Sequence, residues 1–362
     1  LLCYWCFGYG AWLCLALMLA AGIIAHHQKL SALLAVGILL LPATQYPATT
    51  WWSKPDLDRE YVLSLDVEHY FGNIQKMRKH LETDRQILWV TYYRNLYNAT
   101  HPSEINSPVS LSRNLLAWNQ PGTNGLILPV NPSASFLSIL FANELWFTLG
   151  DMTMAEHCAM LSMIFSPRNS GSRMIKRLAE INLVNGDDEA ALKYLRILDK
   201  TLLHKSWAEK RIPGQQTPRV KEWLEKKRRD IPTQDQLRSG NDAVTSLRNL
   251  VASNAGNLRA YEYLLCYHLL SKDLRSFVED YVPGKVSSPI FAEALLIHLA
   301  RQGNIRAEEL IKYQIPVEIA KEFADYTRLY EAKDTSLKEK YGKTYWFYYH
   351  FATTEPGKES KP

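Results

Sequence analysis

The sequence predicts an all-α protein in which N-terminal transmembrane helices precede an α-α superhelical solenoid, and three observations carry that reading. Residues 1–53 hold one charged side chain, Lys29, in a chain that is 22% charged. Past them, apolar residues recur at spacings of three and four, the helical period, and never alternate as strands do. Between Ala134 and Leu203, two successive hairpins share a template: an apolar helix, a Gly-Asp turn (Gly150-Asp151, then Gly186-Asp187), and an alanine shortly after, Ala155 and Ala191. The two glycines lie 36 residues apart, close to the periods at which helical hairpins stack.

The template resembles the tetratricopeptide (TPR) repeat. That repeat places a small residue before the turn glycine, a second small residue after it, and often a proline where the second helix stops. The first unit offers Asn143, Ala155 and Pro167 at these places, the second Ala179, Ala191 and Leu203. Asn143 and Leu203 depart from the pattern. Small residues are required because helices packed about 8–10 Å apart leave no room for a bulky side chain at the crossing.

At the N-terminus, Leu1 to Ala25 is uncharged and apolar, and a helix of that length spans roughly 37 Å, enough to cross a hydrocarbon core of about 30 Å. After His26-His27-Gln28-Lys29, a second apolar run ends near Tyr46, Trp51 and Trp52, the aromatics expected at a lipid interface. Two spans are therefore expected, about 1–25 and 30–48, in a transmembrane region 1–53. The sequence begins without Met and without the basic segment of a signal peptide. It reads as the C-terminal part of a larger polytopic membrane protein. The Lys29 turn, placed in the cytoplasm by the positive-inside rule, puts the helical domain outside it.

The repeat domain is expected over 57–350. Asp58 to Leu81 reads as a hairpin turning at Gly72, and Arg85 to Asn98 as a further helix. Leu258–Leu270 with Leu274–Tyr281, and Ile290–Arg301 with Arg306–Tyr313, read as later pairs. Cys158 and Cys266 fall inside helical patterns as small core residues. Cys3 and Cys6 form a C-x-x-C without the strand-to-helix context of a redox motif. The aromatic run Thr344 to Phe351 reads as the cap of the last hydrophobic layer, and 351–362 as a disordered tail.

Two insertions interrupt the array, at 101–132 and 204–240. The first is rich in Pro, Asn, Ser and Gly and centres on Trp118 to Leu126. Trp118, Asn119, Gln120 and Asn124 are candidate binding residues, an aromatic anchor with amides able to pair with an extended backbone; a structural plug over the groove is the competing reading. Glu144, inside Phe141 to Trp146, is a candidate groove-facing ligand, against a place on the solvent face. The second insertion carries nine Lys and Arg against three Glu over His204 to Arg229. Val220, Trp223 and Leu224 make its second half an amphipathic helix whose basic face includes Arg219, Lys226, Lys227, Arg228 and Arg229. Such a patch suits an anionic lipid or an acidic partner, or is a solvated face. Nucleic acid is disfavoured because no nucleic-acid-binding fold accompanies it.

No phosphate loop, dinucleotide fingerprint, zinc-protease helix or nucleophile elbow is present, so no catalytic residue, metal site or cofactor is expected. The Tyr92 to Leu96 run, the Trp118 to Leu126 loop, the Gly150 hairpin and the C-terminal aromatics together resemble an uncharacterised family of bacterial polytopic membrane proteins with a TPR-like C-terminal domain. The resemblance covers most of 60–350, implies a place in the bacterial inner membrane and lends no activity to any residue. Two functions are expected to compete: a membrane-anchored scaffold for a protein or peptide partner, and the accessory domain of a multispan membrane enzyme, such as a lipid-linked glycosyltransferase, whose active site lies upstream.

Overall fold

A computed structural model describes residues 54–83, 85, 87–101, 111–116, 122–130, 135–165, 171–234 and 242–352. Among them every regular element is a helix. In order these are α1 Lys54–Tyr70, α2 Ile74–Leu81, α3 Leu88–Thr100, α4 Leu111–Asn114, α5 Phe136–Leu149, α6 Met152–Phe165, α7 Ser172–Asn185, α8 Asp188–Asp199 and α9 Lys205–Glu209. They continue as α10 Pro218–Arg228, α11 Ala243–Ser253, α12 Leu258–Leu270, α13 Leu274–Asp280, α14 Pro289–Arg301, α15 Ala307–Lys312, α16 Val317–Glu331, α17 Leu337–Tyr341 and α18 Tyr345–Phe351. The chain divides into two compact units, Leu1–Ser64 and Leu65–Pro362. The described part of the first is the opening of α1, and the functional side chains discussed below belong to the second.

The expectation of an integral protein of the inner membrane, with transmembrane helices and an extracytoplasmic domain, is corrected. No helix among the described residues is long and apolar enough to cross a membrane. The strongly apolar α5 has 14 residues, roughly 21 Å of helix against a hydrocarbon core of about 30 Å. The stretches expected to span, 1–25 and 30–48, lie outside the described residues.

A single helix-ending device recurs through the described chain. A residue at positive φ closes one helix, and the next residue's N–H bonds to the carbonyl five positions back, as in the Schellman motif. It occurs at Gly72-Asn73, Gly150-Asp151, Gly186-Asp187, Lys272-Asp273, Gly303-Asn304, Gln314-Ile315 and Lys333-Asp334. In the two expected hairpins the second residue does further work. The Asp151 carboxylate accepts the Met154 N–H at 2.8 Å and that of Asp187 accepts the Ala190 N–H at 2.9 Å, so each Asp caps the helix that follows. Gly-Asp recurs because one residue must be left-handed and the next must cap.

Within the two hairpins α5 packs on α6, α6 on α7 and α7 on α8. Ala155, Ala179 and Ala191 are fully buried, leaving space for close helix approach. Asn143, at a place where a small residue was expected, is also fully buried, and its Nδ2 donates to the Ala155 carbonyl at 2.6 Å. A hydrogen bond across the hairpin substitutes there for small size.

The first insertion is partly structure. It contains α4, and Leu126, Leu128 and Val130 are buried. Asn95 Nδ2 on α3 donates to the Gly125 carbonyl at 3.0 Å, fastening residues 122–130 to that helix. The C-terminal aromatics form a cap in which Trp346 packs with Phe323, Tyr326 and Tyr341. The Tyr345 and Tyr348 hydroxyls donate to the last carbonyls of α12, at Leu269 and Leu270. Helix α18 runs to Phe351, the first residue of the expected tail, and residues 353–362 lie outside the described set.

Candidate functional site: a buried ionic circuit and its cationic rim

Helix α5 is mostly apolar, and Glu144 is its one charged residue. A carboxylate carried into the interior on such a helix must find cations there, because an unpaired buried charge is prohibitively costly. Glu144 is 6% exposed, and Arg173 and Arg177, one turn apart on α7, supply the cations. Arg173 Nη2 lies 2.8 Å from Glu144 Oε1 and Arg177 Nη2 lies 2.5 Å from Oε2. Arg173 also reaches Asp66 Oδ2 on α1 at 2.6 Å, and the Tyr93 hydroxyl on α3 donates to Asp66 Oδ1 at 2.5 Å. Arg177 adds Glu180 at 3.1 Å and stacks over the Phe147 ring at 3.9 Å. Three helices, α1, α5 and α7, are thus joined through alternating charge, and α3 joins them through the Tyr93 hydroxyl.

The electrostatics follow from that geometry. Burial alone would raise the Glu144 pKa, but the Arg177 and Arg173 guanidinium groups outweigh it and hold the carboxyl well below the usual range. Burial opposes the charge on Arg173 too, and Glu144 and Asp66 more than compensate. His69 is driven the other way: burial lowers its pKa although Glu144 and Asp66 pull it up, so the imidazole is neutral near pH 7. Burial, then Asp66, raises the Tyr93 hydroxyl far above its ordinary value. With the Glu144 carboxyl held ionised, Arg173 held charged and the Tyr93 hydroxyl held protonated, the cluster ties its helices together as a clamp.

Helix α7 carries its third cation outward. Lys176 Nζ donates to the Tyr70 hydroxyl at 2.8 Å and sits 4.9 Å from the Trp207 ring centroid. The Arg211 guanidinium covers Trp207 at 4.0 Å. The circuit therefore fixes the helix from which a cationic, aromatic rim projects.

Of the expected basic patch, Arg219, Lys226, Arg228 and Arg229 are exposed and Lys227 is half-buried, and Lys227 and Arg228 also donate to helix ends. Lys227 Nζ donates to the Phe147 carbonyl at 3.4 Å and lies 4.6 Å from its ring, where burial and then Arg259 push its pKa down to about 8. Arg228 donates to the Leu183 and Val184 carbonyls at 2.7 and 3.1 Å, at the C-terminus of α7. Beside them, Asn257 Nδ2 joins the Leu149 and Asp230 carbonyls, each at 2.7 Å. Val220 and Leu224 are buried as the amphipathic pattern requires.

Of the loop candidates, Trp118, Asn119 and Gln120 lie outside the described residues. Asn124 sits half-buried in the turn before Leu126. Glu144 is neither a solvent-face residue nor an open ligand, since the arginines consume both its oxygens. Sequence reasoning missed Asp66, Tyr93, Arg173 and Arg177. The available signal was one acid within an uncharged helix, which announces buried partners without naming them. Among the described residues no group of three or more His, Cys, Asp or Glu side chains is placed to hold a metal ion. Cys158 and Cys266 are buried free thiols.

Neither a curated protein nor a solved structure matches the chain. A protein-family model matches residues 1–352. With all but its last residues covered, the chain belongs to that family, a family of unknown function (DUF6057).

Proposed function

We propose that this chain is a helical interaction module, built on TPR-like hairpins, that binds a protein or peptide segment and carries no catalysis in the part described. The observation that supports this is apolar side chains left in water at the ends of two successive hairpins. Ile164 and Phe165 close α6 at 63% and 51% exposure, and Leu202 and Leu203 follow α8 at 97% and 84%. Isolated exposed leucines are ordinary, but pairs of neighbouring large apolar side chains exposed near the ends of consecutive hairpins suit partner contact. The ionic circuit keeps α7 rigid between those hairpins, so a ligand would meet a preformed surface and the ordering cost of binding stays low. Photo-crosslinking tests the reading. A benzoylphenylalanine placed at Phe165 or Leu203 of the full chain, in the organism that encodes it, should give a discrete protein adduct, while the same group at the exposed Glu189 should not. Absence of adducts at both sites, or equal adducts at all three, overturns it.

A further inference from the structure

Helix α8 ends in the turn Thr201 to His204, whose two leucines stand almost wholly in solvent. The short helix α9 that follows packs Ala208 onto Ala179, Leu195 and Leu198, with Trp207 beside them. That packing sets the Trp207 ring upright between Lys176 and Arg211, at 4.9 and 4.0 Å. Arg211 donates through Nη1 to the Trp207 carbonyl at 3.2 Å, while its Nε is buried without a hydrogen-bond partner among the described residues. His204 joins the same cluster: burial, then the Lys176 charge, lowers its pKa. Arg219 stands near enough to disfavour the charge on Arg211, behind burial itself. The acids of this face are Glu180, which pairs with Arg177 at 3.1 Å and also favours the Arg211 charge, Glu209, 3.9 Å from Lys205, and the exposed Asp199 just before the turn. Lys176, Lys200, Lys205, Lys210, Arg211 and Arg219 outnumber these acids around the exposed Leu-Leu tip.

We propose that the Leu202-Leu203 tip and the Lys176, Trp207, Arg211 stack form the docking surface for an acidic amphipathic protein segment, which covers the leucines with apolar side chains and pairs its carboxylates with the cations. The inference rests on the interaction-module reading and specifies the partner's chemistry. Charge complementarity favours it: a surplus of like charge beside uncovered apolar surface is relieved by a ligand carrying both carboxylates and apolar groups. With its Nε buried and Nη1 donating to the Trp207 carbonyl, the Arg211 guanidinium over the indole keeps Nη2 as the donor for an incoming carboxylate, a charge-assisted hydrogen bond. Two leucines on one tight turn are a small apolar area for a lipid surface but suit a side-chain pocket on a helix or strand.

Panning a random 16-residue peptide display library against the full chain tests the proposal. Peptides combining Asp or Glu with large apolar residues should be enriched. A synthetic peptide of the selected sequence should bind more tightly as salt is lowered, and binding should weaken at least about tenfold in the exposed-site double variant Lys210→Glu, Arg219→Glu. Leu203→Asp, at a position with no packing to lose, should weaken it comparably, and circular dichroism should show all variants folded. Enrichment of basic or neutral peptides, or affinity unchanged in the variants, overturns the proposal. So does co-sedimentation with phosphatidylglycerol vesicles in place of peptide binding. Protein adducts at Leu203 with a partner segment that is not acidic would sink this inference and leave the interaction-module reading standing.

Discussion

Two buried glutamates show how far local surroundings decide what one side chain does. Glu144 is held ionised by two guanidinium groups, whereas Glu293 has no such neighbour: its Oε2 accepts the Tyr345 N–H at 2.5 Å, and burial pushes its pKa up to about 7. Replacing Glu144 with Ala leaves two cations in the interior and should cost about 3–5 kcal/mol in denaturant unfolding. Because the folded pKa of Glu144 is depressed, its contribution is complete above the unfolded carboxylate value, about 4.5, and falls away as pH drops below it. Glu293 has the opposite sign. Its folded pKa is raised, so the folded state loses stability as pH climbs from about 4.5 to about 7 and regains none above. Glu293→Gln keeps an oxygen for the Tyr345 N–H and should stabilise the protein at pH 8 by on the order of 1–3 kcal/mol, with little effect at pH 4. Equal stability of variant and parent at pH 8 would refute that assignment.

Among the elements, the recurrent helix ending makes a sharper test than any single contact. Gly150 and Gly186 hold the same place in the two hairpins, at φ 90° and 81°. A Cβ on Gly186 meets nothing within 4 Å, whereas on Gly150 it would lie 2.2 Å from the Asp230 carbonyl oxygen. Gly186→Ala should therefore cost about 1 kcal/mol, the left-handed penalty alone. Gly150→Ala should cost about 3 kcal/mol or more, because backbone must also move. Thermal melts showing equal losses would mean that the 230 segment does not seat on the α5 end. Gly-Asp turns, their period and the helices around them were legible because each depends on residues adjacent in sequence. The seating of residue 230 was not, since nothing local marks where a distant carbonyl arrives. For the same reason the bonds of Lys227 and Arg228 to helix ends were not legible: a Lys or Arg has the same outward pattern whether its head meets water or a helix C-terminus.

Across the unit from Leu65 onward, order depends on contacts between segments far apart in the chain. The clearest is the aromatic cap. Trp346 is fully buried, donates to the Glu293 carbonyl at 3.0 Å and contacts aromatics of α16 and α17. Trp346→Ala should lower stability by about 3–5 kcal/mol in denaturant unfolding. A smaller loss, below about 1 kcal/mol, would show the cap to be peripheral. This cap was visible in the sequence as a dense aromatic run, while the ionic circuit was not, because Asp66 and Arg173 stand 107 residues apart. That circuit also has a hereditary consequence. A missense change at Asp66, Glu144, Arg173 or Arg177 strands a charge in the interior, so single steps away from the set are closed to descent and the four positions must change together. An alignment of relatives should show two populations, one with acids and arginines at all four places and one with uncharged residues at all four, with mixtures confined to charge-swapped pairs.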